Sequence, residues 1–343
     1  MTDKKLPKLS LIIPIYGVEK YIERCCVSIF EQTYKDFEVV FVNDCTKDNS
    51  EIILLEVINR YQYLNIPIKV IKHQVNKGLS ASRETGIQEA RGEYILCIDS
   101  DDFIDPTMCA EMINKASENN ADIVYCDYYE LKNGVNTYCD QSLQTTEKIE
   151  IIASMLRQEI VWSTWNKMFR KEILLKHNLH WPVGINLGED LVAITQLFCH
   201  SKKIIHLNRA LYFYNRDNIG SYLNSFTSAT CFQNIKAVNA VNNFLNEKIK
   251  NKTLINALLQ TKLMARFQMI YSLDNELIKL IPHTFIETNN KIFTYKRTTL
   301  FWKICLYLIV NNKFFLGLAL LKGIKIFKKI KAFFSISIKI YTT

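Results

Sequence analysis

Hydrophobic positions in the first 130 residues come in short unbroken runs, separated by longer segments where they recur every three or four residues. The runs Leu9–Ile15 (LSLIIPI), Phe37–Asn43 (FEVVFVN), Ile66–Lys72, Glu93–Asp99 (EYILCID) and Asp122–Tyr129 read as buried strands. Between them, Glu19–Gln32, a segment from about Asp48 to Tyr63, Ser80–Arg91 and Pro106–Asn119 read as helices. Gly92 ends the third helix, and Pro106 stands in the first turn of the fourth. This alternation predicts an α/β fold with a doubly wound, mostly parallel sheet. Ligands of such sheets bind beyond the carboxyl ends of the strands. Polar clusters fall at those ends: Tyr16–Glu19, Asn43–Asp48 and Asp99–Asp102. Residues 147–215 mix helices with short strands and contain Trp162, Trp165 and Trp181, and residues 225–280 are mostly helical in pattern. No internal repeat or low-complexity linker interrupts the chain.

Composition narrows the class. Of 343 residues, 48% are hydrophobic and 22% charged, proportions of a folded globular chain. The ten cysteines include no C-x-x-C pair and lie mainly in apolar runs, so they read as reduced core thiols of a cytosolic protein. The opening MTDKKLPKLS lacks the apolar stretch of a secretory signal. No uncharged apolar run approaches the ~18–20 residues that span a bilayer. The net charge of +9 is local: eleven Lys and Arg and no Asp or Glu follow Glu287, whereas residues 1–287 carry a net of −2. That points to an anionic partner for the tail.

Asp99-Ser100-Asp101-Asp102 is the strongest local signal. Three carboxylates after a buried strand repel one another unless a cation or tight hydrogen bonding offsets them. Hard oxygen ligands suit Mg²⁺ or Mn²⁺, which take one or two carboxylates plus phosphate oxygens. A solvated turn leading to the next helix, capped by Asp105, is the plain alternative. Asp44, in the turn Asn43–Asp48, offers an acceptor to a nucleobase imide, or the turn is an ordinary one with Asp48 as cap. Asn76-Lys77-Gly78 followed by Ser80, Ser82 and Arg83 gives a helix start bearing a cation, suited to phosphate or ribose. Glu189-Asp190, after Gly184 and Gly188, fits both a helix cap and a general base. His177 and His180 form an H-x-x-H with no third ligand nearby and read as surface or packing histidines.

These motifs resemble, in order and spacing, the family 2 glycosyltransferases, which have the GT-A fold. The resemblance runs over about residues 8–215: LSLIIPIYGVEKYIERCCVSIFEQTYKDFEVVFVNDCTKDNS, then N-K-G-L-S-A-S-R-E-T-G, D-S-D-D, W-N-K and E-D. It implies a nucleotide-sugar-binding sheet with a C-terminal helical region. It also implies that Pro14 and Tyr16 line the base pocket, Asp44 bonds the base, Arg83 holds the nucleotide, Asp99 faces the ribose and Asp101 coordinates the metal. Asp190 is the implied catalytic base; Asp102, Trp165, Asn166, Lys167 and Glu189 lie on the implied acceptor side. The expected reaction is an inverting transfer from a UDP-sugar, with Mn²⁺ or Mg²⁺ on the departing diphosphate. The sequence departs from the family pattern at Gly17, where Asn is usual, at Cys45, where the D-G-S turn has Gly, and at Glu84, where Asn is usual after Arg. A nucleotidyltransferase on a similar sheet wants a Gly-rich, cationic loop after the first strand, which Tyr16-Gly17-Val18-Glu19 does not supply. A nucleotide-sugar-binding protein without catalysis is the other alternative.

Three regions are expected: a catalytic domain over 1–215, a helical accessory region over 216–296 and a basic amphipathic tail over 297–343. The tail interleaves apolar residues with lysines at 322, 325, 328, 329 and 331, as in a helix lying in a membrane interface. The plain alternative is a helix packed on the catalytic domain. Nucleic acid is not an expected partner, because few polar readers accompany the lysines. The expected location is cytoplasmic, peripheral on the inner face of the plasma membrane. A lipid-linked saccharide is the expected acceptor there, in surface polysaccharide synthesis.

Overall fold

A computed structural model describes residues 6–218, 227–311, 313–321 and 323. The amino-terminal alternation becomes β1 (Leu9–Ile15), α1 (Ile22–Phe30), β2 (Phe37–Asn43), α2 (Ser50–Tyr61), β3 (Ile68–Lys72), α3 (Leu79–Glu89) and β4 (Tyr94–Cys97). A short β5 (Phe103–Ile104), α4 (Met108–Asn119), β6 (Ile123–Lys132), β7 (Val135–Cys139), α5 (Lys148–Leu156) and β8 (Lys167–Arg170) follow. Then come α6 (Lys171–His177), α7 (Glu189–His200), β9 (Ile204–Asn215), α8 (Ser228–Phe244), α9 (Lys252–Tyr271), α10 (Asn275–Leu280) and α11 (Leu300–Val310). Asp105 accepts from Thr107 N–H at 2.8 Å in the turn before α4, whose cap position is Thr107 rather than the expected Asp105, and Asp48 accepts from Ser50 N–H before α2, whose cap position is Asn49.

The strands form one sheet in the order β3-β2-β1-β4-β8-β6-β9-β5, with β7 beside β6. β3, β2, β1 and β4 are mutually parallel, as the alternation predicts. Beyond β4 the sheet is mixed: β8 enters antiparallel between β4 and β6, and β5 pairs antiparallel with β9. The four-residue β8 is too short for periodicity to separate it from a loop, and its hydrogen bonds come from strands distant in sequence.

Alternation along the strands divides the core. Leu11, Ile13, Val39, Phe41 and Leu96 pack with α1, α2 and α4 on one face. Ile12, Val40, Val42, Ile95 and Cys97 pack on the other with α5, α7, α8 and α9. Each such fully buried side chain contributes about 1.5–3 kcal/mol of transfer free energy. Because α8 and α9 complete the sheet's core, the packing does not divide at residue 215. The second half of α9 (Phe267, Met269, Ile270) builds a further core with α10 and α11. One face of α11, Cys305, Leu306 and Ile309, is buried there, while Leu300, Ile304 and Tyr307 are exposed on the helix exterior. No helix among the described residues is long and apolar enough to cross a membrane. The tail lysines at 322, 325, 328, 329 and 331 lie outside the described residues.

All ten cysteines are free, and burial raises the pKa of nine of them (Cys25, Cys26, Cys97, Cys109, Cys126, Cys139, Cys199, Cys231 and Cys305). His177 stacks on His200 and His180 bonds Glu84, so the H-x-x-H residues point to separate partners.

Candidate active site

The carboxyl ends of β1 and β2 are tied together by side chains. Gly17 N–H donates to Thr46 Oγ1 (2.9 Å), Val18 N–H to Ser50 Oγ (3.0 Å) and Glu19 N–H to Asp48 Oδ2 (2.9 Å). Gly17 has φ +69, a region that Gly and Asn both tolerate. That is the physical reason one can replace the other here. Cys45 has φ +58 and keeps the left-handed backbone of a glycine turn without being glycine. Of the residues expected in the base pocket, Pro14 is buried within β1, and Tyr16 at its end is 51% exposed.

Asp44 is buried at the end of β2. Its Oδ1 accepts from Lys77 N–H (2.8 Å) and lies 2.7 Å from His73 Nδ1, and its Oδ2 accepts from Gly78 N–H (2.8 Å). The carboxylate therefore fixes the backbone at the start of α3. His73 Nε2 in turn lies 3.0 Å from Thr85 Oγ1. His73 was not singled out from the sequence, although a signal exists. Asn43 pairs with Lys72 in the β2–β3 register, so Asp44 and His73 are the next neighbours.

Arg83, on α3 and only 1% exposed, gathers three carboxylates from distant segments. Its Nη1 donates to Glu189 Oε1 (2.7 Å) and Asp190 Oδ1 (2.8 Å), and its Nη2 to Asp99 Oδ1 (2.7 Å). Burial opposes the charge on Arg83, but Asp190, Asp99 and Glu189 outweigh it and raise its pKa. A desolvated carboxylate cluster with one cation cannot be fully ionised cheaply. Accordingly, burial and the neighbouring Asp190 raise the Glu189 pKa to about 8. Burial also raises that of Asp99 against the pull of Arg83.

The other two carboxylates of the D-S-D-D turn differ in use. Asp102 is fully buried: Tyr212 O–H donates to its Oδ2 (2.6 Å) and Asn215 N–H to its Oδ1 (2.7 Å). Burial, with Asp101 and Asp99 nearby, raises its pKa well above the usual range. It therefore anchors β9 inside the fold; its partners lie more than a hundred residues away. Asp101 is half-buried, accepts from Asn218 Nδ2 (2.8 Å) and has its pKa raised by burial. No three His, Cys, Asp or Glu side chains among the described residues assemble into a metal cage. One desolvated carboxylate beside Asp99 fits a divalent cation that takes its remaining ligands from a diphosphate.

Trp165, Asn166 and Lys167 are buried against the sheet. Thr164, which precedes them and was not expected, donates its N–H to Asp190 Oδ2 (3.1 Å) and its hydroxyl to Oδ1. The structure thus brings Arg83, Asp99, Glu189 and Asp190 together, with Asp101 two residues from Asp99.

The model of glycosyl transferase family 2 matches residues 10–178. Among curated proteins, the chain is 33% identical over 222 residues to an uncharacterized glycosyltransferase, EpsJ, of Bacillus subtilis (strain 168), covering 63% of each. The chain spans under two thirds of the length of the first such relatives. Among solved structures, S. aureus TarS 1–349 in complex with UDP-GlcNAc aligns with TM-score 0.65 at 19% identity, over 93% of this chain and 91% of that one. A mannosyltransferase from Pyrobaculum calidifontis, in complex with GDP-Man and Mn²⁺, aligns with TM-score 0.54 at 14% identity, over 91% and 88%.

Proposed function

Since the chain belongs to glycosyl transferase family 2, we propose that it moves a sugar from a UDP-sugar donor to a hydroxyl of a saccharide acceptor by inverting displacement. The observation that carries this reading is the convergence of Asp99, Glu189 and Asp190 on the buried guanidinium of Arg83, beside Asp101. Asp190 takes the proton of the acceptor hydroxyl as that oxygen attacks the anomeric carbon. Burial and the neighbouring Asp190 push the Glu189 pKa up to about 8, which favours its neutral form beside the base. Asp99 faces the ribose, Tyr16 offers its exposed ring to the base, and Asp44 holds the 77–78 backbone toward the nucleotide. Asp101 would hold Mn²⁺ or Mg²⁺, which when bound neutralises charge on the departing diphosphate. The TarS complex with UDP-GlcNAc supports a UDP donor, and the mannosyltransferase complex with Mn²⁺ supports the metal.

The acceptor we propose is a lipid-linked saccharide at the inner face of the plasma membrane, in surface polysaccharide synthesis. The all-basic segment after Glu287 and the exposed apolar stripe of α11 support an anionic membrane surface as partner.

The test is nucleoside diphosphate release from UDP-, GDP- and dTDP-sugars with Mn²⁺ and then EDTA, with a membrane extract as acceptor. Metal-dependent release from a UDP-sugar is expected, lost in Asp101→Ala and reduced at least ~10²-fold in Asp190→Ala. Pyrophosphate release would identify a nucleotidyltransferase instead. UDP-sugar binding without turnover would identify a binding protein.

A further inference from the structure

The segment from Thr164 to Lys167 is tied down by its own turn and by the sheet strands beside it. Lys167 Nζ donates to Val161 O (2.9 Å), Ser163 O (2.8 Å) and Asn166 Oδ1 (2.7 Å), which uses all three ammonium protons. Asn166 Nδ2 donates to Cys126 O (2.7 Å), and Cys126 N–H returns a bond to Asn166 O (3.1 Å), stitching the segment to β6. Trp165 stacks on Tyr212 and Tyr214 of β9, with centroids 4.4 and 5.4 Å away, and meets Tyr128 edge-on at 4.9 Å. Lys167 N–H closes the turn on Thr164 O at 3.0 Å. A segment so fixed has one product at the site: the two Thr164 donors on Asp190.

We infer that Thr164 is a positioning residue for Asp190, and that Trp165, Asn166 and Lys167 form the clasp that holds Thr164 in place. The inference rests on the reading of Asp190 as base. It also names the reacting atom. Each carboxylate oxygen has two lone-pair sites. Oδ1 is filled by Arg83 and the Thr164 hydroxyl, whereas among the described residues Oδ2 takes only Thr164 N–H. Oδ2 therefore has the free lone pair and receives the acceptor's proton. The charged groups around Asp190 are Arg83 from α3, Glu189 from α7, Asp99 after β4 and Lys167 from β8. Thr164 adds uncharged, directional donors to that field.

The test is turnover of UDP-glucose, UDP-galactose and UDP-N-acetylglucosamine with a membrane-extract acceptor by Thr164→Val, Thr164→Ser and Trp165→Phe. Thr164→Val keeps the shape and the backbone donor but removes the hydroxyl. It is expected to lower kcat roughly 10–10²-fold and to leave UDP affinity and the acceptor KM within about twofold. Donors to a carboxylate favour its ionised form, so the acidic limb of kcat/KM against pH is expected to move upward. Thr164→Ser is expected to restore rate and profile. Trp165→Phe, which keeps an aromatic stack, is expected to lower kcat with the acceptor KM unchanged, and it serves if Thr164→Val does not fold. A parental rate and pH profile in Thr164→Val overturns the inference. So does a raised acceptor KM with unchanged kcat in either variant, the mark of direct acceptor contact. Activity retained in Asp190→Asn, or no turnover of these donors by the parent, overturns the underlying reading and this inference with it.

Discussion

Cys45 sits at φ +58, where a Cβ crowds the following carbonyl at a cost of roughly 1–2 kcal/mol. Its thiol has only weak contacts to compensate, with Gln74 O at 3.6 Å and Lys47 Nζ at 3.4 Å. Cys45→Gly is expected to raise the unfolding free energy by about 1 kcal/mol, after allowing for glycine's greater unfolded-state freedom. A higher urea midpoint at unchanged slope would show it. Glu189 gives a prediction of opposite character. Its folded pKa of about 8 lies above the ordinary value of 4.5, so the folded state holds a proton that the unfolded chain releases. Its stabilising contribution is full below the unfolded value and fades as pH rises through the folded one. Glu189→Gln is expected to flatten the decline in unfolding free energy between pH 4.5 and about 8, a slope on the order of 1 kcal/mol per pH unit. Denaturant titrations at several pH values measure it. At this scale the residue types of the site were legible in the sequence, but their partners were not. Arg83 and Asp190 stand 107 positions apart and Thr164 and Asp190 stand 26 apart, and no local pattern encodes such pairings.

The start of α3 shows how an element is aimed. Gly78 precedes it with φ +89 and ψ 165, a combination that is essentially glycine's alone. Asp44 reaches across from β2 to bind the N–H groups of Lys77 and Gly78, and Asn186 lies over Gly78 so closely that an added Cβ would meet its Oδ1 at 2.4 Å. The first turn of α3, and Arg83 one turn further, thus depend on a backbone shape that side chains from two other segments enforce. Gly78→Ala is expected to cost about 1–3 kcal/mol of stability and to weaken UDP binding, read by thermal unfolding and calorimetry. The four amino-terminal strands and their helices were legible because each runs long enough to show its period. β8, at four residues, and the mixed half of the sheet were not. The role of the W-N-K segment was likewise hidden, since its stacking on Tyr212 and Tyr214 appears only when β9 lies beside β6.

Over the whole molecule, charge and apolar exposure favour the same end. Acidic and basic groups nearly balance up to Glu287, and only basic ones follow. In that stretch Leu300, Ile304, Tyr307 and Phe315, the last 86% exposed, turn apolar surface outward. Each lysine or arginine near an anionic bilayer contributes roughly 1 kcal/mol, screened by salt. The chain is expected to sediment with vesicles containing phosphatidylserine and not with phosphatidylcholine alone, to be released by high salt, and to bind more weakly as Ile304→Asp. Equal sedimentation with both lipids would refute that expectation. The course of α9 has a different consequence. Its first half walls the sheet's core and its second half founds the helical one, so the two cores share a single rigid rod. Heat cannot melt one without unroofing the other. The chain should lose its structure in one calorimetric transition, and cutting it after β9 should leave an insoluble remnant rather than a smaller enzyme.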